Sequence, residues 1–360
     1  MAIEETTYSL KIEKAERPTP DSVALTLAVP EAERSAFAFK PGQHIAVHAV
    51  IDGERERRTY SIAAPTDGAL RIAIRAIEGG KVSIWANSTL ATGATLDVSE
   101  PKGRFVLPAS ENGKRQALFI AAGAGITPII GMITDLLEHE PDSTATLIFG
   151  NRSPETSMFL GELEDLKDRF PARFDLLALY SRAGDADNPL LTGRITPEKL
   201  ASLIDGRLDV LALTHAHLCG PGHLIREARA FLTERGLPRE KIFFEFFITG
   251  AAVPKERARE APKTTAAGGS DGIAILDGIS RTFPIAPGQS VLEAALAAGI
   301  KAPYSCTGGM CCTCRAKLVE GEAPMAVNYS LEQWEIEKGF VLTCQARPST
   351  PRIVVDYDAM

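Results

Sequence analysis

Four cysteines constrain this chain more than any other feature of its sequence. Cys306, Cys311 and Cys314 follow a C-x4-C-x2-C spacing within S-C-T-G-G-M-C-C-T-C, and Cys344 lies downstream in L-T-C-Q-A. This is the spacing of a plant-type [2Fe–2S] cluster, whose fourth cysteine comes from elsewhere in the fold. Such a cluster needs four soft thiolates, and the two glycines inside the motif let the loop curl around it. The pattern therefore predicts a [2Fe–2S] centre held by these four residues.

A zinc site and a disulfide framework are the alternative uses of these cysteines. Zinc sites rarely have C-x4-C-x2-C spacing. The first residues, M-A-I-E-E-T-T, are acidic and lack the apolar segment of a secretion signal, which argues against disulfides. Cys312 and Cys219 remain outside the ligand set, and Cys312 is either a small packed residue or a redox-active thiol.

Length and charge limit the function classes. A chain of 360 residues exceeds one typical core, so we expect two or three domains. With 46 acidic and 39 basic side chains, the net charge of −7 disfavours binding to nucleic acid. No apolar run approaches the roughly 18 residues that cross a bilayer. We therefore expect a cytoplasmic protein that binds neither nucleic acid nor membrane.

Residues 1–110 contain short runs of alternating apolar residues separated by turn pairs such as Pro41-Gly42, a pattern that predicts an antiparallel β-barrel or β-sandwich. Two local motifs stand out. R-T-Y-S closes a strand at residues 58–61, and G-G-K-V-S at residues 79–83 leads into a predicted helix at 84–90. Glycines at a helix entrance present N–H groups to an anion, so the second motif suits a phosphate.

In this order the two motifs resemble the flavin-binding barrel of the ferredoxin–NADP reductase superfamily, in which R-x-Y-S and G-G-x-x-S motifs hold FAD. The resemblance implies that Arg58 contacts the FAD pyrophosphate, that Tyr60 packs on the flavin and that Ser61 lies near flavin N5. A guanidinium and oriented amides both suit a pyrophosphate. The residues that the resemblance assigns to FAD are Arg58, Thr59, Tyr60, Ser61, Gly80, Lys81, Val82 and Ser83.

Residues 111–250 alternate apolar strands with helical stretches, which predicts an α/β domain with a parallel sheet. The predicted helices begin near Pro128, Met158 and His223. The predicted strands are residues 117–121, 145–149, 174–180 and 209–213.

The first of these strands ends in A-A-G-A-G-I-T-P, where two glycines allow a phosphate to approach the backbone and Thr127 can cap a helix. Pro128 stands where a standard dinucleotide fingerprint has its third glycine. G-x-G-I-T-P and the later C-G-P-G nevertheless resemble the nucleotide elements of the same superfamily, which implies that Cys219 lies beside the nicotinamide. The nucleotide residues assigned in this way are Gly123, Gly125, Thr127, Cys219, Gly220 and Pro221.

The ends of two later strands bear on the choice of nucleotide. A 2′-phosphate calls for arginine, whereas a free ribose hydroxyl favours an acid, and no acid occupies either strand end. In the superfamily an S-R motif marks NADP users, so Arg152, Ser181 and Arg182 are the candidate phosphate ligands. We expect NADPH rather than NADH, the alternative being that these arginines are only solvated charges.

Two further patterns in this segment have competing interpretations. His215, His217 and Cys219 alternate in the sequence, a spacing that would place all three on one face if the segment were a strand, and they form either part of a zinc site or ordinary core residues. K-I-F-F-E-F-F at residues 241–247 is either a core strand or, as in relatives with a fused ferredoxin, an E-x-F ending whose Phe247 lies over the flavin.

The remaining chain is predicted to contain a flexible linker at residues 251–272 and a separate domain at 273–360. Asp277-Gly278 predicts a hairpin, and Ser290 with Glu293 predicts a capping box at the start of a helix. A hairpin, a helix and then the cysteine motif resemble plant-type ferredoxin, which has a β-grasp fold.

The order of flavin, nucleotide and ferredoxin domains resembles oxygenase reductases with a C-terminal cluster. Residues 328–348 are most similar to the reductase subunits of phenylacetyl-CoA oxygenases, and those of ketosteroid hydroxylases share this pattern. The resemblance implies that NADPH reduces FAD, which passes single electrons through the cluster to an oxygenase partner, a non-haem diiron enzyme. The alternatives are a stand-alone diaphorase and a binding module without a cluster. Partner identity and oligomeric state cannot be read from the sequence.

Overall fold

The computed structural model of this chain describes residues 6–66, 68–109, 113–182, 188–247, 269–304, 307–309, 312–331 and 333–359. The chain divides into two compact units. The N-terminal unit comprises Thr7–Gly250, and the C-terminal unit comprises Ala251–Met360 with Met1–Thr6.

The N-terminal unit begins with an antiparallel barrel. Its strands lie in the order β4-β3-β6-β1-β2-β5, and an isolated bridge between Ile62 and Ile72 joins the two edge strands, because Ile62 directly follows β4 and Ile72 lies in β5. The predicted antiparallel barrel is confirmed. Its elements are β1 (Tyr8–Thr19), β2 (Ser22–Ala28), β3 (His44–Ile51), β4 (Glu54–Ser61), β5 (Leu70–Arg75), α1 (Lys81–Thr89) and β6 (Thr95–Val98).

Helix α1 begins at Lys81, three residues before the predicted start. The reason is the hydroxyl of Ser83, which accepts a hydrogen bond from the Ile77 N–H at 3.2 Å and donates one to the Gly80 carbonyl at 3.1 Å. These two bonds close the preceding turn, so the helix can begin directly after Gly80.

A five-stranded parallel sheet with the order β11-β10-β7-β8-β9 forms the rest of the N-terminal unit. Side chains of β7 alternate between two cores, because successive strand residues point to opposite faces. Phe119 packs with α2 and α3, whereas Ile120 packs with α4 and α5. The elements are β7 (Gln116–Ala122), α2 (Ile126–His139), β8 (Thr144–Asn151), α3 (Leu160–Arg169), β9 (Phe174–Tyr180), α4 (Pro197–Ile204), β10 (His215–Gly220), α5 (Gly222–Glu234) and β11 (Ile242–Phe246).

The fourth predicted strand of this sheet was misplaced. Residues 209–213 form a short 3-10 turn instead, because the Asp209 side chain accepts a hydrogen bond from the Leu211 N–H at 3.0 Å, and Leu211 is 68% exposed. The strand is His215–Gly220, which is buried along its whole length. Because His215 and His217 count as polar in a sequence pattern, this segment did not read as an apolar strand. Helix α4 was not predicted.

The C-terminal unit contains a mixed sheet in the order β13-β12-β16-β14-β15, in which only the described β12–β16 pair is parallel. Asp277 and Gly278 both have positive φ, as a tight hairpin turn requires, and Ser290 and Glu293 form the predicted capping box. The elements are β12 (Ser270–Leu276), β13 (Ile279–Ile285), α6 (Val291–Ala297), β14 (Arg315–Glu320), α7 (Gln333–Glu337), β15 (Phe340–Leu342) and β16 (Arg352–Asp356).

Residues 251–268 of the predicted linker, which was placed at 251–272, lie outside the described residues. Strand β12 begins at Ser270, so the last residues of the predicted linker belong to the sheet. Asp271 and Gly272 pair through their backbone with Pro284 and Phe283. Backbone pairing needs no apolar side chains, so the sequence pattern did not reveal this part of the strand. The other predicted domain limits, at 110 and 250, also lie outside the described residues. Every helix in the described part of the chain is too short or too polar to traverse a bilayer.

Candidate functional site

The R-T-Y-S motif occupies the end of β4, where each residue pairs with β3. Ser61 is opposite His44 and is 4% exposed, and Thr59 is opposite Ala46. Tyr60 packs against the barrel core, and burial raises the pKa of its phenol above the ordinary value. The phenol therefore stays neutral, and its ring offers an apolar face with a hydroxyl at one end.

Two acids that the sequence analysis missed connect the cations of the predicted FAD site. Glu56 Oε2 lies 3.1 Å from Arg58 Nη1, and Glu56 Oε1 lies 3.4 Å from Lys81 Nζ. Glu54 pairs with Lys81 as well, and this hydrogen bond raises the lysine pKa. The alternation E-R-E-R-R on β4 was the signal, because it places residues 54, 56 and 58 on one face. The structure thus brings Arg58 and Lys81 together.

The backbone at the start of α1 fits a phosphate. Gly80 is the N-cap residue, and no described side chain caps this helix. A Cβ on Gly80 would lie 2.4 Å from Ser83 Oγ and 2.5 Å from Ile77 Cγ1. Val82 is 1% exposed, so its side chain packs inside the protein and supports the first turn of α1 from within. Ser83 supports the same turn through its hydrogen bonds. What this motif offers an anion is its first-turn N–H groups with the Lys81 cation beside them.

The predicted nucleotide residues collect at the carboxyl edge of the parallel sheet, where such sheets bind ligands. Gly123 and Gly125 form a 3-10 turn after β7, and α2 begins at Ile126 rather than at Pro128. The Thr127 hydroxyl donates to the Ala124 carbonyl at 3.0 Å, so it closes this turn instead of capping the helix. The following glycine and proline, Gly220 and Pro221, connect β10 to α5.

Cys219 is fully buried at the end of β10 and lies opposite Glu245 of β11. Burial, followed by the charge of Glu245, raises the pKa of the Cys219 thiol well above its usual range. The thiol therefore stays protonated. Residues 242–246 form a strand, as the interpretation of this segment as a core strand predicted. Phe247 follows this strand, donates its N–H to the Gly220 carbonyl at 2.9 Å and is partly buried. A flavin contact by Phe247 stays a prediction.

The three candidate ligands of a 2′-phosphate lie side by side. The Ser181 N–H donates to the Asn151 carbonyl at 3.0 Å, and the Arg182 N–H donates to the Arg152 carbonyl at 2.9 Å. This ladder extends the β8–β9 pairing past both strand ends, so the exposed Arg152 and Arg182 are held together. Asn151 Nδ2 is buried and has no hydrogen-bond partner among the described residues, which makes it a donor that a ligand can use.

Arg75, at the end of β5, is a second residue that the sequence analysis missed. Its Nη1 would lie 3.3 Å from a Cβ on Gly123, and its Nη2 donates to the Thr156 carbonyl. Asp21 Oδ1 lies 3.4 Å from its Nε. Burial lowers the pKa of the Arg75 guanidinium. The negative charge of Asp21 opposes this shift, and the positive charge of Arg152 adds to it. A half-buried cation thus borders the glycine turn, and strand alternation alone does not mark it.

His215 and His217 form a core pair rather than a zinc site. His217 Nε2 lies 3.1 Å from the Val106 carbonyl, which can only accept, so this nitrogen donates. His217 Nδ1 then accepts from His215 Nδ1 at 3.1 Å, and Phe243 stacks on the His217 ring. The described residues contain no group of His, Cys, Asp or Glu that could hold a metal ion.

This pair predicts acid sensitivity of the N-terminal unit. Burial lowers the pKa of His215 to about 2 and that of His217 to about 4, whereas an unfolded histidine has a pKa of about 6.5. Because the unfolded chain binds more protons below that pH, the free energy of unfolding falls as pH drops from about 6.5 toward 4, by about 1.4 kcal/mol per pH unit and proton.

We expect His217→Phe to flatten this pH dependence, since it removes one of the two groups. Thermal unfolding of the N-terminal unit between about pH 7 and pH 5 measures the effect. The matched control is His223→Gln, because His223 is exposed in the first turn of α5. An H217F profile as steep as that of the unsubstituted protein would contradict the expectation.

Two of the four predicted cluster ligands lie in the described part of the C-terminal unit, and both are buried. Cys314 is 3% exposed and Cys344 is 7% exposed, and both belong to the core of the unit. Thr343 joins them, because its N–H and its hydroxyl donate to the Cys314 carbonyl at 3.1 and 2.8 Å. Cys306 and Cys311 lie outside the described residues. Buried soft donors on adjacent segments fit an iron–sulfur cluster.

The described residues around the cysteine motif also have the expected geometry. Gly309 has a φ of 77°, and its carbonyl accepts hydrogen bonds from the Tyr329 N–H at 3.1 Å and the Ser330 hydroxyl at 3.3 Å. Cys312 has a φ of 57° and is partly buried against the core. Its environment agrees with the interpretation as a packed residue.

Family comparisons agree with this geometry. Residues 9–107 match the oxidoreductase FAD-binding domain, residues 119–230 match the oxidoreductase NAD-binding domain, and residues 274–349 match the 2Fe-2S iron-sulfur cluster binding domain.

Two curated relatives extend over almost the whole chain. One component of 1,2-phenylacetyl-CoA epoxidase from Escherichia coli is 40% identical over 359 residues, which cover 98% of each chain. The ferredoxin reductase component of 3-ketosteroid-9-alpha-monooxygenase from Rhodococcus rhodochrous is 28% identical and covers 94% of this chain and 93% of its own.

Solved structures show the same fold. Phthalate dioxygenase reductase, described as a modular structure for electron transfer from pyridine nucleotides to [2Fe–2S], covers 97% of this chain and 98% of its own with a TM-score of 0.56 at 24% identity. Full-length CYP116B46 from Tepidiphilus thermophilus covers 97% of this chain and 42% of its own, with a TM-score of 0.67 at 24% identity.

These matches confirm the multidomain fold with a flavin barrel, a nucleotide domain and a ferredoxin domain. They also confirm an electron-transferring oxidoreductase with binding domains for FAD, a pyridine nucleotide and a [2Fe–2S] cluster. The chain belongs to the ferredoxin–NADP reductase superfamily, within the family of oxygenase reductases that carry a fused plant-type [2Fe–2S] domain.

Proposed function

We propose that this reductase supplies electrons to the epoxidase that acts on phenylacetyl-CoA. The observation that carries the proposal is the 40% identity to the epoxidase component over 98% of both chains. The partner would be a non-haem diiron oxygenase, as the resemblance to oxygenase reductases implies. It would oxidise the organic substrate itself, because this sequence lacks the paired Glu-x-x-His elements that a diiron site needs. We place the reaction in the cytoplasm, in keeping with the four described cysteines, none of which forms a disulfide.

The cofactors divide the work by electron number, since FAD accepts a hydride and releases single electrons, whereas a [2Fe–2S] cluster takes one electron. The chain supplies anion sites for both nucleotides. Arg58, Lys81 and the first-turn N–H groups of α1 would hold the FAD pyrophosphate. The glycine turn after β7, with Arg75 beside it, would hold the diphosphate of the nicotinamide nucleotide.

Two buried side chains suit the place of hydride transfer. Ser61 is 4% exposed and Cys219 is fully buried, so both would help to exclude water from the place where the nicotinamide would give its hydride to FAD. The raised pKa of the Cys219 thiol keeps it neutral, so it would not place a charge beside the ring. The predicted limits at residues 110 and 250 would separate the flavin domain, the nucleotide domain and the linker, and the sheet of the ferredoxin domain begins at Ser270 rather than after residue 272.

Reconstitution tests the partner. The purified reductase would be combined with the oxygenase components of phenylacetyl-CoA epoxidase, and separately with the oxygenase of the ketosteroid monooxygenase system. We expect nucleotide-dependent epoxidation of phenylacetyl-CoA only with the first set. Turnover of the steroid alone would favour the second candidate, which the 28% identity to that reductase component makes the specific alternative. A reductase that serves neither would refute the assignment.

Nucleotide preference has its own test. We propose NADPH, because Arg152 and Arg182 are held side by side at adjacent strand ends. Arg152→Ala should raise the KM for NADPH by about tenfold, because it removes one exposed charge-assisted contact to the 2′-phosphate that we expect to contribute about 1.4 kcal/mol. The KM for NADH should stay nearly unchanged, since NADH lacks this phosphate. Arg207→Ala is the matched control, since Arg207 is exposed in the turn after α4, before β10 begins. Equal changes in both KM values would refute the preference.

A further inference from the structure

Gln345 directly follows the predicted ligand Cys344, and its backbone is fixed on both sides. Its N–H donates to the Leu342 carbonyl at 2.8 Å. Its carbonyl accepts from the Ala326 N–H at 3.0 Å and from Arg347 Nη1 at 3.2 Å. With the main chain held in this way, the side chain can leave in only a few directions.

The side-chain amide of Gln345 contacts two parts of the cluster site at once. Nε2 donates to the Thr307 carbonyl at 2.7 Å and lies 3.7 Å from Cys344 Sγ, within hydrogen-bonding range for sulfur. A primary amide has two N–H donors, so both contacts can form together. Thr307 is next to Cys306 in the sequence, so one amide connects two segments that carry ligands.

The ligand loop is shaped to accept this contact. Thr307 has a φ of 51°, a left-handed conformation that a threonine keeps only when its surroundings hold it there. The loop also packs on the aliphatic part of the same side chain, since a Cβ on Gly309 would lie 3.1 Å from Gln345 Cγ.

A donor aimed at a ligand sulfur has a definite electronic effect. Reduction adds negative charge to the cluster and its thiolates, and an N–H group next to sulfur stabilises that charge. Its removal therefore lowers the reduction potential. A residue that only held the loop would affect cluster retention without a consistent effect on the potential.

We propose that Gln345 is a positioning residue that raises the reduction potential of the cluster through its N–H donor to Cys344 Sγ, while its second N–H group fixes the ligand loop at Thr307. The proposal rests on the assignment of Cys344 as a cluster ligand. It does not depend on which oxygenase is the partner.

The test is a redox titration of the purified holoprotein followed by the electron paramagnetic resonance signal of the reduced cluster. Gln345→Leu removes both donors without a charge, and Gln345→Glu keeps the length of the side chain but replaces the donor with an anion. For Q345L we expect the equilibrium between flavin and cluster to shift about tenfold toward the flavin, which is about 59 mV for one electron. Q345E should shift it further, because its charge repels the thiolate.

The matched control is Gln289→Leu. Gln289 lies in the same unit and its Oε1 accepts from the Ala286 N–H at 3.0 Å, so it closes a turn without contact to a ligand cysteine. Its potential should equal that of the unsubstituted protein. Unchanged potentials in Q345L and Q345E at full iron content would overturn the proposal. If Q345L loses the cluster, the reduction potential of the cluster would be measured in Q345E, whose side chain keeps the length of glutamine. A parent protein without iron would instead overturn the ligand assignment itself.

Discussion

Replacement of Cys344 with serine is expected to remove the iron–sulfur cluster and to leave the flavin in place. Serine has nearly the same volume as cysteine, so the buried position stays filled, but a hydroxyl is a hard, weakly acidic ligand that does not replace a thiolate. Cys344 is 7% exposed and packs in the core of the C-terminal unit, whereas the FAD motifs lie in the N-terminal unit. The two cofactors should therefore be lost independently.

Two activities report on the change. Reduction of ferricyanide by NADPH needs only the flavin and should be retained in Cys344→Ser. Electron delivery to the oxygenase should fall to the background rate, together with the visible absorption of the cluster and the assayed iron. A C344S protein that keeps full iron and full coupling would contradict the ligand assignment and, with it, the predicted route of the electrons.

Cys312→Ser is the matched control for this experiment. Cys312 lies within the same motif but outside the C-x4-C-x2-C spacing, and it is partly buried against the core. We expect C312S to keep the iron, the flavin and both activities. Loss of the cluster in C312S with retention in C344S would exchange the roles of the two cysteines.

Short-range chemistry could be predicted from the sequence. The C-x4-C-x2-C spacing of Cys306, Cys311 and Cys314, the Asp277-Gly278 turn and the Ser290–Glu293 capping box each depend on residues that are close in the chain. For the hairpin and the capping box the structure confirms the prediction. The family motifs add the order of the domains, which the comparisons confirm.

Long-range contacts could not be predicted in the same way. Arg75 borders the Gly123 turn, Lys81 pairs with Glu54, and Gln345 meets Thr307, although the last two pairs are separated by 27 and 38 residues and the first by still more. The distances between partners depend on strand order, which local patterns do not determine. β10 was misplaced for a related reason, since two neutral buried histidines read as polar until their partners are known.

Among the described glycines of the predicted nucleotide site, Gly125 in the turn after β7 has the closest neighbours. A Cβ on Gly125 would lie 2.2 Å from the Cys219 carbonyl oxygen and 3.0 Å from the Gly220 nitrogen, far inside contact distance. Both neighbours are backbone atoms of β10, so they cannot rotate away as a side chain could. The φ of Gly125 is −61°, which any residue adopts, so space rather than backbone conformation demands the glycine here.

Gly125→Ala should therefore push the start of α2 away from the end of β10, and with it the phosphate turn away from Cys219. A displacement near 1 Å can lower the rate of a positioned reaction about 100-fold, so we expect a fall of that order in kcat/KM for flavin reduction by NADPH, measured by stopped flow. FAD and iron contents should stay constant. Gly161→Ala is the matched control, because a Cβ there meets nothing within 4 Å, so alanine at the second residue of α3 should preserve the rate. If G125A reduced its flavin as fast as G161A, close contact between this turn and β10 would not be what positions the nicotinamide.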